Sequence, residues 1–205
     1  MTLIRPFAGL RPVADKAADV AAPPYDVLNT EEARQRARGK PWSFLHISRP
    51  EIDLPVGTDP FAPEVYAQAK KSFDAMLQQG ILVQDPEACY YLYRLIMGQH
   101  TQTGLVAAAS VPDYDSNRIR KHEFTRPDKE DDRVRQIDAL NAQTGPVFLT
   151  YKHHPDIDAL VDAVSNGEPV LDITAEDGVR HTLWVVQDAT QIATITDTFD
   201  AMECL

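Results

Sequence analysis

Cysteine is nearly absent: Cys89 and Cys204 stand far apart, with no Cys-x-x-Cys pair and no Cys/His spacing around either. That excludes a disulfide framework and a cysteine-based zinc site. A buried thiol is expected at Cys89, which precedes the apolar run 90–97. A basic surplus is also lacking. Twenty Lys and Arg face 31 Asp and Glu, for a net charge of −11. Nonspecific nucleic-acid binding needs a basic surface to neutralise phosphates, so nucleic acid is not expected as a partner. No run approaches the roughly 20 apolar residues of a membrane span, so no membrane partner is expected either. The first residues, Met1-Thr2-Leu3-Ile4-Arg5-Pro6-Phe7, lack the three-part pattern of a secretory signal. The expectation is a soluble, cytoplasmic protein. The familiar catalytic signatures are missing as well: no GxGxxG, P-loop, HExxH or GxSxG occurs.

What is present is an ordinary globular composition, 43% hydrophobic and 25% charged, with punctuation that changes along the chain. Nine of the fifteen prolines fall in the first 63 residues, which read as irregular and extended. One short helix is expected there over 30–38, from an Asn29/Glu32 capping box to Gly39. Trp42, Phe44, Leu45 and Ile47 make an apolar run of strand length. The loop 50–63 keeps Ile52, Leu54, Val56 and Phe61, which should pack against the domain.

From Pro63 onward, Val65, Tyr66, Ala69, Phe73, Met76 and Leu77 recur at helical spacing as far as Gly80. A short apolar segment follows at 81–83. Residues 90–97 and 105–111 predict an antiparallel hairpin with 99–104 as its turn. A charged helix is expected over 127–142, with Val134, Ile137 and Leu140 as its stripe. A buried strand is expected at 147–151 and an amphipathic helix at 156–165. Strands at 170–174 and 180–186 flank Glu176-Asp177-Gly178, a hairpin signal. A last helix covers about 190–202. The fold class is α+β, with a mixed, mainly antiparallel sheet, flanking helices and a proline-rich N-terminal region. No linker stands out, so a single domain over 1–205 is expected.

Four stretches could carry chemistry. In Ala21-Ala22-Pro23-Pro24-Tyr25-Asp26-Val27 the prolines stiffen the backbone and present Tyr25 and Asp26 rigidly. A binding site and a plain surface turn both fit, and cis X-Pro bonds are allowed there. In the run 118–135, Arg120, Lys121, His122, Arg126 and Lys129 gather at a helix start, with Thr125 as N-cap and Asp128 three residues on. Free N–H groups beside cations form an anion site, particularly for phosphate. His122 and Glu123 add proton-transfer groups. A solvated helix face laced with salt bridges is the alternative, and composition favours it. Residues 140–146 need no explanation beyond helix termination, though Asn141, Gln143 and Thr144 could bond a ligand. His153 and His154 are adjacent, point in different directions on a strand, and lack a third metal ligand in register.

These stretches resemble a bacterial and archaeal family, the domain of unknown function 1015 family. The likeness is carried by Arg5-Pro6-Phe7 with Leu10-Arg11-Pro12, by Ala22-Pro23-Pro24-Tyr25-Asp26-Val27 and by Trp42-Ser43-Phe44-Leu45-His46-Ile47-Ser48-Arg49-Pro50-Glu51. It continues through Lys121-His122-Glu123-Phe124-Thr125, Asn141-Ala142-Gln143-Thr144-Gly145-Pro146-Val147-Phe148 and Asp177-Gly178-Val179-Arg180-His181. Members are typically about twice this length and carry an Asp-Gly-His-His-Arg-type motif soon after the region matching Phe199. The resemblance therefore implies an N-terminal half of a longer protein. That motif is similar to the phosphate-handling segment of the ParB-like and free-serine-kinase group.

What the resemblance implies is a phosphotransferase-type activity on serine, phosphoserine or another small phosphometabolite. ATP or ADP with Mg would be the cofactor. Lys121 and Arg126 would hold phosphate, with Tyr25 and Thr125 as further substrate contacts. His122, Glu123 and Asp26 are the catalytic candidates, and no metal ligand is assigned among the side chains. The alternative is a non-enzymatic domain that binds a phosphometabolite or nucleotide, or docks a C-terminal partner half or a second copy as a homo-oligomer.

Overall fold

The structure, a computed structural model, describes residues 2–122 and 124–205. In chain order its elements are β1 (Ile4–Arg5), β2 (Leu10–Pro12), α1 (Ala17–Val20), α2 (Thr30–Ala37), α3 (Leu45–Ser48) and α4 (Pro63–Gln78). Then come β3 (Leu82–Gln84), β4 (Tyr90–Met97), β5 (His100–Val106), β6 (Ala108–Ala109), α5 (Val111–Asp115) and α6 (Pro127–Leu140). The last are α7 (Pro155–Ser165), β7 (Leu171–Thr174), β8 (Arg180–Val186) and α8 (Ala189–Asp200). The fold is mixed α+β, and among the described residues the paired strands are antiparallel.

The chain divides into two compact units. A sheet unit comprises Met1–Ala14, Gln84–Glu123 and Phe148–Leu205, and a helical unit comprises Asp15–Val83 and Phe124–Val147.

In the sheet unit, four strands order as β5-β4-β8-β7. Register follows the alternation of side chains. Leu92 opposes Trp184 and Tyr90 opposes Val186, which puts all four on one face. That face packs with Ile157 and Leu160 of α7 and Ile195 and Phe199 of α8 into one apolar core. β1 pairs with β6, aligning Ile4 with Ala109. The β4–β5 hairpin closes tighter than the sequence suggested. Met97 opposes His100, so Gly98 and Gln99 form a two-residue turn rather than a loop over 99–104. Gly98 takes φ +61°, which suits the first central position of a type II′ turn. The β7–β8 hairpin forms at its expected position, with Thr174 opposite Arg180 and Gly178 at φ +82°.

One close approach fixes the entry of the chain into this unit. The Gly9 N–H donates to the Tyr91 hydroxyl at 2.7 Å, and a Cβ on Gly9 would fall 2.5 Å from that oxygen. Tyr91 in turn donates to Asp85 at 2.8 Å, and Asp85 is gripped by Arg11 through Nε and Nη2. Cys89 is buried, as expected.

In the helical unit, Asn29 and Glu32 form the expected reciprocal capping box on α2. α4 buries Val65, Tyr66, Ala69, Phe73 and Met76, and the chain leaves it through Gly80 at φ +66°. Of these, Ala69, Phe73 and Met76 meet Val20, Ile47, Ile81, Leu82 and Leu140 in a second core.

Several expectations are corrected. Residues 42–47 lie in turns and the short helix α3, where Ser48 N–H bonds Phe44 C=O at 2.9 Å and Arg49 N–H bonds Leu45 C=O at 2.8 Å. A brief apolar run has no period long enough to separate strand from helix. Residues 147–151 form no strand; Val147 and Phe148 are 76% and 75% exposed, while Leu149 packs on the sheet unit's core and Tyr151 lies edge-on to its Phe199 at 5.0 Å between centroids. In the loop 50–63, Ile52 is buried while Val56 and Phe61 are exposed. α6 stops at Leu140 because Asn141 adopts the left-handed conformation, φ 51°, before Gly145-Pro146 is reached. No peptide bond among the described residues is cis.

Candidate functional site

The helical unit buries four polar side chains among the described residues, Ser43, Glu51, Asp132 and Gln136. α6 should have buried Val134, Ile137 and Leu140, yet Val134 is half exposed. The face that is buried runs through Asp132, Gln136 and Leu140, spaced four residues apart on one side of the helix. Two of these three are polar, and each has a partner. Tyr66 of α4 donates its hydroxyl to Asp132 Oδ1 at 2.9 Å. Gln136 Nε2 donates to the Ile47 carbonyl at 2.8 Å. Burial, followed by the bond to Asp132 and its negative charge, pushes the Tyr66 phenol up to about 12. The second oxygen of Asp132 accepts from Arg133 Nε and Nη2.

Arg133 then reaches the first sequence-predicted residue. Its guanidinium carbon lies 4.3 Å from the centroid of the Tyr25 ring. Tyr25 opens a 3-10 turn, Tyr25–Val27, immediately after Pro24. The Tyr25 carbonyl accepts from Arg49 Nη1 at 3.0 Å, as does the Leu28 carbonyl. Arg49 also donates through Nε to the buried Glu51 at 2.7 Å and through Nη2 to the Thr30 hydroxyl at 3.1 Å. The stiff Pro-Pro segment is thus fastened on one side by Arg49 and carries Arg133 on the ring of Tyr25. Asp26 is exposed beside it.

The start of α6 differs from its expected capping. Arg126, not Thr125, is the N-cap, with Pro127 in the first turn and no side-chain cap. Pro127 lacks an N–H, and the Thr125 hydroxyl bonds Glu130 Oε2 at 2.8 Å instead. Arg126 pairs with Asp128 at 2.7 Å. That bond holds the Asp128 carboxyl below its ordinary value. The helix start therefore already has carboxylates beside its cation, and an incoming anion must compete with Asp128 for Arg126.

Tyr25, Asp26, Thr125 and Arg126 belong to the helical unit, and Lys121 and His122 to the sheet unit. Lys121 Nζ lies 4.3 Å from the centroid of the Tyr114 ring, and His122 is exposed. Glu123 lies outside the described residues. The residues that organise the site, Arg49, Glu51, Asp132 and Arg133, were not singled out from sequence. Arg49 and Glu51 nevertheless stand in the Arg-Pro-Glu stretch that carries the family resemblance, and Arg133 lies inside the charged run.

Among the described residues, no group of three or more His, Cys, Asp or Glu side chains is placed to hold a metal ion. No helix among them is long and apolar enough to cross a membrane. The sequence model of a family described as "Protein of unknown function (DUF1015)" matches residues 4–205. No curated protein matches, and no solved structure does.

Proposed function

The chain belongs to the DUF1015 family of proteins of unknown function, and on that footing we propose that it binds a small phosphorylated metabolite, phosphoserine first among the candidates. The observation that carries the reading is the Arg133–Tyr25 pair. A guanidinium is held in place by Asp132 on the helix side and by an aromatic ring on the other, next to a stiff proline-led segment. Its Nε and Nη2 are committed to Asp132, which leaves Nη1 for an acceptor such as a phosphate oxygen. Tyr25, Thr125 and Arg126 of the same unit are the further ligand contacts in this reading.

Phosphoryl transfer is the activity this reading assigns. The terminal phosphoryl group passes from ATP or ADP to the serine hydroxyl oxygen as its bond to the nucleotide breaks and ADP or AMP leaves, with Asp26 orienting the acceptor hydroxyl and taking its proton. A Mg ion would arrive on the nucleotide and be held chiefly by its phosphates, since no metal-holding cluster is present among the described residues.

Thermal shift with phosphoserine, ATP and ADP tests the binding half, because a ligand selective for the folded state raises the melting point. A rise with phosphoserine that is lost in Arg133→Lys supports the reading; no shift with any phosphate compound overturns it. Assays with serine plus ATP, and with phosphoserine plus ADP, test the transfer half. Turnover that survives Asp26→Asn and Arg126→Ala would remove those residues from the mechanism.

A second reading, docking of a protein partner, is favoured by Phe124, which is 95% exposed. Light scattering of the wild type and of Phe124→Ser checks it: an unchanged monomer mass in both excludes self-association through this residue.

A further inference from the structure

The sheet unit contains a cleft of about 470 Å³ whose chemistry is opposite to that of the phosphate-binding residues. Its lining is mixed: Trp184 and Cys89, both almost fully buried, form an apolar side with Val164 and Val170, and Gln187 adds a polar group. Trp184 is locked in place, its indole N–H donating to the Gly167 carbonyl at 2.9 Å while Arg94 lies 4.9 Å from its ring centroid. Glu87 and Glu168 stand at the rim, both exposed.

One cation also lines the cleft, Arg11, but it is already committed. Nε and Nη2 both bind Asp85, and Asp85 accepts a further bond from Tyr91. The Arg11–Asp85 pair is close to neutral as a unit, so the charge presented to a ligand is that of the two glutamates. Burial pushes the Cys89 thiol up, the charges of Asp85 and Glu87 push it further, and Arg11 opposes them.

We propose that this cleft binds a small organic amine, its apolar body on the side formed by Trp184, Val164 and Val170 and its ammonium group at Glu87 and Glu168. The volume is in the range of small-molecule sites, and apolar side chains with polar groups beside them are their usual build. A carboxylate or phosphate ligand is disfavoured by the same two side chains. Because the ring face of Trp184 already carries Arg94, the carboxylates and not the indole take the cation.

The test is an NMR titration of the unmodified protein with phenethylamine, phenethyl alcohol and 3-phenylpropionate, read at the amides of Glu87, Cys89 and Glu168 and at the Trp184 indole N–H. The expected result is saturable shifts with the amine, about tenfold weaker binding of the alcohol, and weaker binding still of the acid. The double variant Glu87→Gln/Glu168→Gln changes only exposed side chains and should weaken the amine about tenfold. No saturable shift, equal affinity for amine and alcohol, or an unchanged double variant would each overturn the proposal. None of these outcomes bears on phosphoserine binding by the helical unit.

Discussion

Compare how the two units hold a helix. In the sheet unit, α7 and α8 lie on a core of Tyr90, Leu92, Trp184, Val186, Ile157, Ile195 and Phe199, and contact is made mainly by apolar atoms, with one hydroxyl bond between Tyr90 and Thr196 at 2.8 Å. In the helical unit, α6 adds to its apolar Leu140 a set of polar contacts with α4 and α3: a carboxylate, a phenol, a carboxamide and a main-chain carbonyl. Burying apolar area is forgiving of direction, whereas a buried hydrogen bond has to be met at the right distance and angle or its desolvation cost stands unopposed. The sheet unit should therefore tolerate shape-conserving changes, and the helical unit should respond to the loss of single atoms.

The strongest way to break this comparison is Leu92→Ala. Leu92 is fully buried, so the cavity should cost about 2–5 kcal/mol in urea unfolding. A smaller loss would mean that the sheet core is less tightly packed than it looks. Next comes Asp132→Ala, which strands the Tyr66 hydroxyl and the Arg133 guanidinium together and should cost about 1–3 kcal/mol. A double-mutant cycle with Tyr66→Phe sharpens the point. Coupling of at least about 0.5 kcal/mol is expected, and additive losses would show that the bond contributes little. Gly9→Ala should cost a comparable 1–3 kcal/mol or so, because the new methyl must displace the Tyr91 ring that anchors Asp85.

The smallest effects concern pH and have opposite signs. Burial raises Asp85, but the bonds from Arg11 and Tyr91 outweigh it and hold the carboxyl below its ordinary value. Its contribution is present above the unfolded value of about 3.9 and is lost as pH falls through the depressed folded value. His46 is raised, chiefly by its bond to Asp53 and against its burial. Its contribution is full below the unfolded value of about 6.5 and is lost as pH rises through the raised folded value. Each should be worth under about 1 kcal/mol after solvent screening. Hydrogen exchange in β4 should show a flattened acid limb in Asp85→Asn. Exchange in α3 should show a flattened limb above neutrality in His46→Gln.

Local signals were legible in the sequence, and distant ones were not. The Asn29–Glu32 box and the turn at Gly178 are settled by residues three or four apart, so they were found where they occur. α4 was found because five of its six expected core positions are buried at helical spacing, Leu77 alone remaining exposed. Asp132 and Gln136 look in sequence like the solvated side of a charged helix. Their partners stand 66 and 89 residues away, and nothing nearby announces them. The same holds for the candidate site. Tyr25 was visible because prolines stiffen its own segment, whereas Arg133 became relevant only once α6 was known to face it. Residues 147–151 are the converse case: their apolar run suggested a strand, but no ladder partner among the described residues receives it.

The order of strands β5-β4-β8-β7 has a consequence for how the protein is made. A ribosome releases β4 well before β8, which must lie beside it, and everything from 124 to 147 emerges in between. During synthesis the helical unit has all its residues while β4 still shows one unpaired edge, a row of open N–H and C=O groups on an aromatic-rich strand. That interval is when the nascent chain is most exposed to mispairing with a neighbour. Anything that slows translation between 147 and 180 would lengthen it.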